Sequence, residues 1–101
     1  MIIYNVTVSV DSAIETEWIQ WMKEEHIPEV LATGMFTNYR MLKLLNDSPD
    51  VTGITYAVQY EAETIGHLDR YLEAHAAELR QRHMLKYGTQ TVAFRTVLEE
   101  V

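Results

Sequence analysis

The sequence predicts one α+β domain in which four strands and two helices follow the order β-α-β-β-α-β. A chain of 101 residues has room for a single hydrophobic core. Apolar residues alternate in several segments, as in strands with one buried face, and recur at helical spacing in two others. The composition, with 48% hydrophobic and 23% charged residues, is typical of a globular protein and argues against a disordered one.

Residues 2–10 predict the first strand. Ile, Tyr and three Val occupy the even positions of this segment, whereas Asn, Thr and Ser occupy most of the odd ones. This two-residue period is that of a strand with one face in the core. The even positions are therefore expected to face the helices.

The first helix is predicted from Ser12 to His26. Ser12 and Glu15 have the spacing of a capping box, in which each side chain satisfies a free amide of the first turn. Pro28 should break or kink this helix at the residue before it, and Gly34 should close a short turn beyond the break. Ile14, Trp18 and Trp21 recur at helical spacing and form an apolar stripe, and the next position of this stripe is the carboxylate Glu25. Both tryptophans are expected in the core.

The remaining elements follow from the same patterns. A second strand is predicted from Met35 to Leu45, a turn at Asn46 to Asp50, and a third strand from Thr52 to Glu61. The second helix is predicted from Thr64 to Lys86, with its apolar stripe ending at a histidine, and the fourth strand from Thr89 to Leu98. The stripe comprises Ile65, Leu68, Leu72, Ala76, Leu79 and His83.

These elements predict a ferredoxin-like fold. Right-handed crossovers applied to this order give an antiparallel sheet with strand order 4-1-3-2 and both helices on one face. The even-numbered residues of the first, third and fourth strands are the bulkier set, so they should pack under the helices. The open face would then be small and half polar, with Asn5, Thr7, Ser9, Thr55, Ala57, Gln59, Thr91, Ala93 and Arg95.

Charge and composition exclude several classes of function. A net charge of -7, with 8 Lys and Arg spread singly, repels phosphate backbones and anionic lipids, so neither nucleic acid nor a membrane is expected as a partner. An RNA-recognition domain shares the element order, but residues 52–59 lack the leading basic residue and two aromatics of its stacking strand. Without cysteine, disulfides and thiolate catalysis are excluded.

No metal site or cofactor is predicted. Histidines and carboxylates do not recur at zinc-ligand spacing on one helix face, and His67 and His75 lie off the apolar stripe, where we expect surface or rim positions. The first residues lack the pattern of a signal peptide, and no apolar stretch reaches 18 residues. We therefore expect a cytoplasmic protein.

The stretch from Trp21 to Phe36, WMKEEHIPEVLATGMF, together with the element order, resembles the dimeric α/β-barrel superfamily. In that superfamily a His two residues before a Pro, here His26 and Pro28, often closes the first helix, and a Gly leads into the second strand. The chain as a whole is similar to a short bacterial branch of unknown function. The resemblance implies a homodimer whose two sheets pack face to face around a lumen.

Members of this superfamily include cofactor-independent monooxygenases, haem-degrading enzymes and isomerases of small ring compounds. Haem-degrading members use an Asn on the first strand, a Trp and a His. Asn5 and His83 match two of these, but both tryptophans lie on the first helix. The resemblance therefore does not extend to haem degradation.

His26 is the first candidate for catalysis. A helix C-terminus raises the basicity of an imidazole, and the break at Pro28 can direct it across the barrel mouth. Glu25 and His83 end the apolar stripes of the two helices at the same end of the sheet, where a buried carboxyl and an imidazole could form an acid/base pair. The alternative is that His26 caps its helix and that Glu25 and His83 reach solvent.

A second set of residues is a candidate for ligand binding. Tyr39 and Arg40 lie next to each other on the second strand, so one of them must point away from the helices. Together with residues of the other strands they could bind an anionic or oxygen-rich small molecule. This set is Asn5, Tyr39, Arg40, Gln59, His83 and Arg95. The alternative is a hydrated dimer interface without a ligand.

The leading functional hypothesis is a homodimer that binds, and can transform, a small organic molecule in its lumen. The open face is too apolar to be an ideal solvent face, and a second copy packed by two-fold symmetry would cover it. The second strand adds to this face either Phe36, Leu42 and Leu44 or Met35, Tyr39, Met41 and Leu45. The alternative function is a non-catalytic ligand-sensing or protein-interaction module on the same dimer.

Overall fold

Four strands form one antiparallel sheet in the order β2-β3-β1-β4, which confirms the predicted order. The computed structural model describes residues 1–45 and 53–101, so the turn predicted at residues 46–50 lies outside the described residues. The strands are β1 (Ile2–Val10), β2 (Asn38–Lys43), β3 (Ile54–Ala62) and β4 (Thr91–Glu99). The alternating apolar residues of β1 and β3 are buried under the helices, as predicted.

Each predicted helix is divided into two segments. The first contains α1 (Glu15–Trp21) and α2 (Ile27–Ala32), joined by a π-helical turn at Met22–His26. The second contains α3 (Ile65–Ala74) and α4 (Ala76–Tyr87). Short 3-10 turns precede α1 and follow α4. No helix in the described ranges is both long and apolar enough to cross a membrane.

Of the break or kink predicted at Pro28, the break does not occur, because helical structure continues from the π-helical turn into α2. Proline lacks an amide hydrogen, and its ring would clash with a carbonyl of the preceding α-helical turn. The π-helical turn is wider, and the amide of Ile27 donates to the carbonyl of Met22, five residues back. The helix therefore continues through Pro28 until Gly34, whose positive φ of 78° closes it as predicted.

The π-helical turn also moves the buried face by one residue. After Trp18 and Met22 the next fully buried side chain is Ile27, a step of five residues. The predicted stripe continued to Glu25, but the extra residue in the turn rotates this carboxylate to the exposed side. His26 takes the position facing the core, and the predicted role of Glu25 in the stripe is wrong.

The second helix is interrupted at His75, where φ is -129° and ψ is -33°. Tyr71 and Ala76 are both buried although they are five residues apart, so the interruption keeps the apolar faces of α3 and α4 against the sheet. Ile65 and Leu72, predicted for the stripe, are exposed. Gly88 ends α4 with a φ of 54°, as predicted.

The prediction for β4 was wrong about its two faces. Val6 of β1 lies opposite Val58 of β3 and opposite Arg95 of β4, and directly opposed residues share one face of a sheet. The odd-numbered residues of β4, including Arg95 and Ala93, therefore lie on the helix side. The open face carries Val92, Phe94, Thr96 and Leu98 instead. Both sets contain apolar residues, so the parity of the sequence could not choose between them.

The register of β2 decides which of its residues face away from the helices. Tyr39 lies opposite Tyr60 and is on the helix side, whereas Arg40 lies opposite Gln59 on the open face. Leu42 shares that open face. Phe36, which precedes β2, is buried in the core.

Candidate functional site

A small pocket lies between the sheet and the helices, below the π-helical turn. It has a volume of about 50 Å³. Its floor comes from the central strands and is mainly apolar, while its polar groups come from the helices, from β4 and from tyrosines of the central strands. The polar lining residues are His26, His83, Arg80, Arg95 and the tyrosines Tyr4, Tyr60 and Tyr71.

An outer groove of about 180 Å³ lies beside this pocket, between α4 and β4. Four residues line both spaces: Arg80, His83, Ala93 and Arg95. Because β4 is an edge strand and Ala93 has a small side chain, the sheet leaves this side open.

His83 is held in one neutral form by a buried tryptophan. The indole Nε1 of Trp18 donates a hydrogen bond to Nε2 of His83 at 3.0 Å, and Trp18 is fully buried. An indole can only donate, so Nε2 must be unprotonated and Nδ1 carries the hydrogen. Burial and then the charge of Arg95 lower the pKa of His83. His83 is thus a neutral imidazole at pH 7.

His26 lies in the same wall and is also neutral. Its ring stacks on Trp21, with centroids 5.0 Å apart, and meets His83 edge-on at 5.8 Å. Burial lowers the pKa of His26 to about 4, and His83, Arg95 and Arg82 contribute in the same direction. Its Nδ1 atom is buried and has no hydrogen-bond partner among the described residues. Such an atom is a position at which a ligand can bind.

The pocket carries two guanidinium groups and no carboxylate among its lining residues. Arg80 donates to the hydroxyl of Tyr4 at 2.8 Å. Within residues 1–45 and 53–101, neither Arg80 nor Arg95 forms an ion pair. Arg82, on the outer side of α4, is different because it pairs with Glu29 and Glu78.

The structure brings together three of the residues predicted from the sequence, His26, His83 and Arg95. Glu25 is exposed, so the predicted acid/base pair of Glu25 with His83 is not formed. Arg95 was expected on the open face and instead reaches the pocket. Tyr39 is half-buried on the helix side of β2 and is not among the lining residues.

Other predicted ligand residues meet on the open face. Arg40 donates to Oε1 of Gln59 at 3.3 Å. Asn5 donates to Thr7 and Thr96, and its Oδ1 is buried without a partner in the described part of the chain. Both groups lie on the surface that a second copy would cover.

Sequence reasoning missed Arg80 and the tyrosines. Arg80 is three residues before His83 on the same helix, a spacing that places both side chains on one face. This signal was available in the sequence. The described residues contain no group of three or more His, Cys, Asp or Glu that could hold a metal ion.

Comparison with known proteins identifies the family. Residues 1–101 match the family described as a domain of unknown function, DUF4286. The chain belongs to this family. A search of curated proteins found no match for this DUF4286 domain.

Two solved structures share the fold of this DUF4286 domain. One is an ethyl tert-butyl ether D (EthD) family protein from Bacillus halodurans, with 10% identity, a TM-score of 0.67 and complete coverage of both chains. The other was assigned as an antibiotic biosynthesis monooxygenase from Deinococcus radiodurans, with 18% identity, a TM-score of 0.58, and coverage of 100% of this chain and 93% of the other. The predicted ferredoxin-like fold, with a four-stranded antiparallel sheet, is confirmed.

Proposed function

We propose that this domain is a homodimeric protein that binds a small organic molecule in the pocket of each protomer. One observation supports this most directly: His26, whose Nδ1 atom is buried and unpartnered among the described residues, lines a cavity that shares part of its wall with the groove between α4 and β4. Buried polar atoms without a partner are rare because each costs about 1–3 kcal/mol. A bound ligand would remove this cost.

The chemistry of the walls also fits a ligand site. Apolar side chains of β1 and β3 surround a few converging polar groups, which is the usual composition of small-molecule sites. The sequence favoured the lumen of the dimer as the binding site. His26, His83 and Arg95 instead favour the pocket inside each protomer.

The same residues can support a reaction that needs no cofactor. A neutral His26 can accept a proton from a bound molecule, and Arg95 can stabilise the negative charge that remains. With a pKa of about 4, His26 is a weak base in the empty pocket. An anion bound beside it would raise this pKa and strengthen the base. Proton abstraction of this kind would suit an isomerase-like or monooxygenase-like reaction on a small organic molecule.

The homodimer is supported by the open face of the sheet. With the corrected register of β4 this face is more apolar than predicted, because Val92, Phe94 and Leu98 are exposed on it together with Leu42. Three strands of nine residues and one of six give it roughly 500 Å² in projection, of the order of the ~800 Å² of accessible surface that each partner buries in a standard interface.

A fragment screen monitored by protein NMR tests ligand binding. We expect neutral and charged fragments that bind to shift resonances of His26, His83 and Ala93. Ala93→Leu should fill the junction between pocket and groove and abolish these shifts, whereas Ala77→Leu, on the exposed side of α4, should leave them unchanged. Hits spread over the surface, or hits that survive Ala93→Leu, would contradict the proposal.

Turnover separates the enzyme from the alternative. A fragment that binds in the pocket and is converted, with loss of conversion in His26→Gln, would support an enzyme. A fragment that binds unchanged supports the non-catalytic ligand-sensing module.

A further inference from the structure

We propose that the ligand of this pocket is a small carboxylate with a compact apolar body, bound through Arg95 and Arg80. This inference rests on the proposed function, since it names the class of molecule that the same site takes. It is independent of whether the ligand is transformed.

The charge of the pocket is the first argument. Two guanidinium groups line it, no carboxylate does, and the protein as a whole carries a net charge of -7. Among the described residues neither Arg80 nor Arg95 is paired with an acid. Arg82, on α4 like Arg80, pairs with both Glu29 and Glu78. Arg80 and Arg95 are exposed residues whose charges no described carboxylate neutralises, so they can attract an anion to the mouth of the pocket. The pocket is thus a positive site on an acidic protein.

The hydrogen-bonding groups are the second argument. Arg80 uses one donor on Tyr4 and retains others, and Arg95 presents its planar fork of donors. The Trp18 bond leaves His83 with a hydrogen on Nδ1. The site therefore carries more donors than acceptors. A carboxylate has only acceptors, and an arginine can bind it with two parallel hydrogen bonds.

The size of the pocket is the third argument. Each water-sized position occupies about 10–15 Å³, so the inner cavity of about 50 Å³ holds only a few non-hydrogen atoms. Val6, Val8 and Val58 make its floor apolar. The four residues shared with the outer groove include both arginines. A carboxylate at this junction would thus point a short apolar body into the inner cavity.

Isovalerate, its neutral amide isovaleramide and the cation isopentylamine are matched probes for this proposal. They have similar bodies and differ mainly in charge. In NMR titrations of the full chain at near-neutral pH we expect isovalerate to bind at least about tenfold more tightly than the amide and the amine not to bind. Added salt should weaken isovalerate binding and leave amide binding unchanged.

Arg95→Gln tests the cation directly. Its loss should weaken isovalerate binding about 10- to 100-fold, the usual range for a hydrogen bond to a charged group, and should leave isovaleramide binding nearly unchanged. Arg70→Gln is the control, because it removes the same charge from an exposed position on α3 outside the pocket. Retained folding is checked in both variants by their NMR spectra.

Each result distinguishes this inference from the proposed function. If the amide or amine binds in the pocket as tightly as isovalerate, or if Arg95→Gln has no effect, the anion inference is overturned and ligand binding stands. If no probe binds while the fragment screen finds pocket ligands, the carboxylate class is likewise wrong. If the screen also finds none, both proposals fail.

Discussion

The folded protein should lose stability as the pH falls, and His26 should account for much of the loss that does not come from carboxylates. Replacing His26 should remove that part. Burial lowers the pKa of His26 to about 4 in the folded protein, whereas an unfolded chain has the ordinary value of 6.5. Between these two values the unfolded state binds more protons, so the free energy of unfolding falls as the pH falls from about 6.5 to 4. Above this window both states are neutral and the contribution vanishes.

The magnitude follows from the two pKa values. Integrated between about pH 7.5 and about pH 4.5, this single group lowers the free energy of unfolding by about 2.5 kcal/mol. The variants His26→Gln and His26→Phe lack the titrating group. Their stability should therefore fall by about 2.5 kcal/mol less than that of the wild type over the same range.

Urea denaturation at the two pH values measures this difference. The other ionisable side chains are the same in all three proteins, so their contribution is largely removed by the comparison. The two variants differ in how well they replace the stacking on Trp21 and should still show the same pH dependence. A direct NMR titration of the His26 ring should give a pKa near 4. Equal losses of stability in wild type and variants, or a ring that titrates near 6.5, would refute the reasoning.

Two further predictions concern the tautomer and the dimer. Trp18→Phe removes the indole that donates to His83, so the pKa of His83 should rise from its lowered value. NMR titration of the His83 ring measures this pKa. An unchanged pKa would mean that the Trp18 hydrogen bond does not hold the neutral form. The wild type should have about twice the mass of 11.7 kDa by light scattering, and Phe94→Asp, at a position 61% exposed on the open face, should shift it toward the monomer. Ala77→Asp, exposed on α4, should leave the dimer intact, and a monomeric wild type would contradict the prediction.

The sequence by itself determined the fold. Alternation in β1 and β3 defined the buried faces of the central strands, and Gly34 and Gly88 marked the helix ends, because these signals depend on neighbouring residues and on local backbone conformation. The order of the elements then determined the topology through the handedness of crossovers. The family resemblance around His26 pointed to the same fold.

The tertiary structure alone decided the composition of the site. Pro28 is accommodated by a π-helical turn, which exposes Glu25 and turns His26 inward. The periodicity of the sequence does not predict the added residue in this turn. Arg95 reaches the pocket only because β4 pairs with β1 in a register that turns its odd-numbered residues toward the helices. No residue of β4 is fully buried on either face, so burial does not dictate which of its faces is apolar. Long-range pairing made that choice, and it brought together a cation and two imidazoles that lie far apart in the sequence.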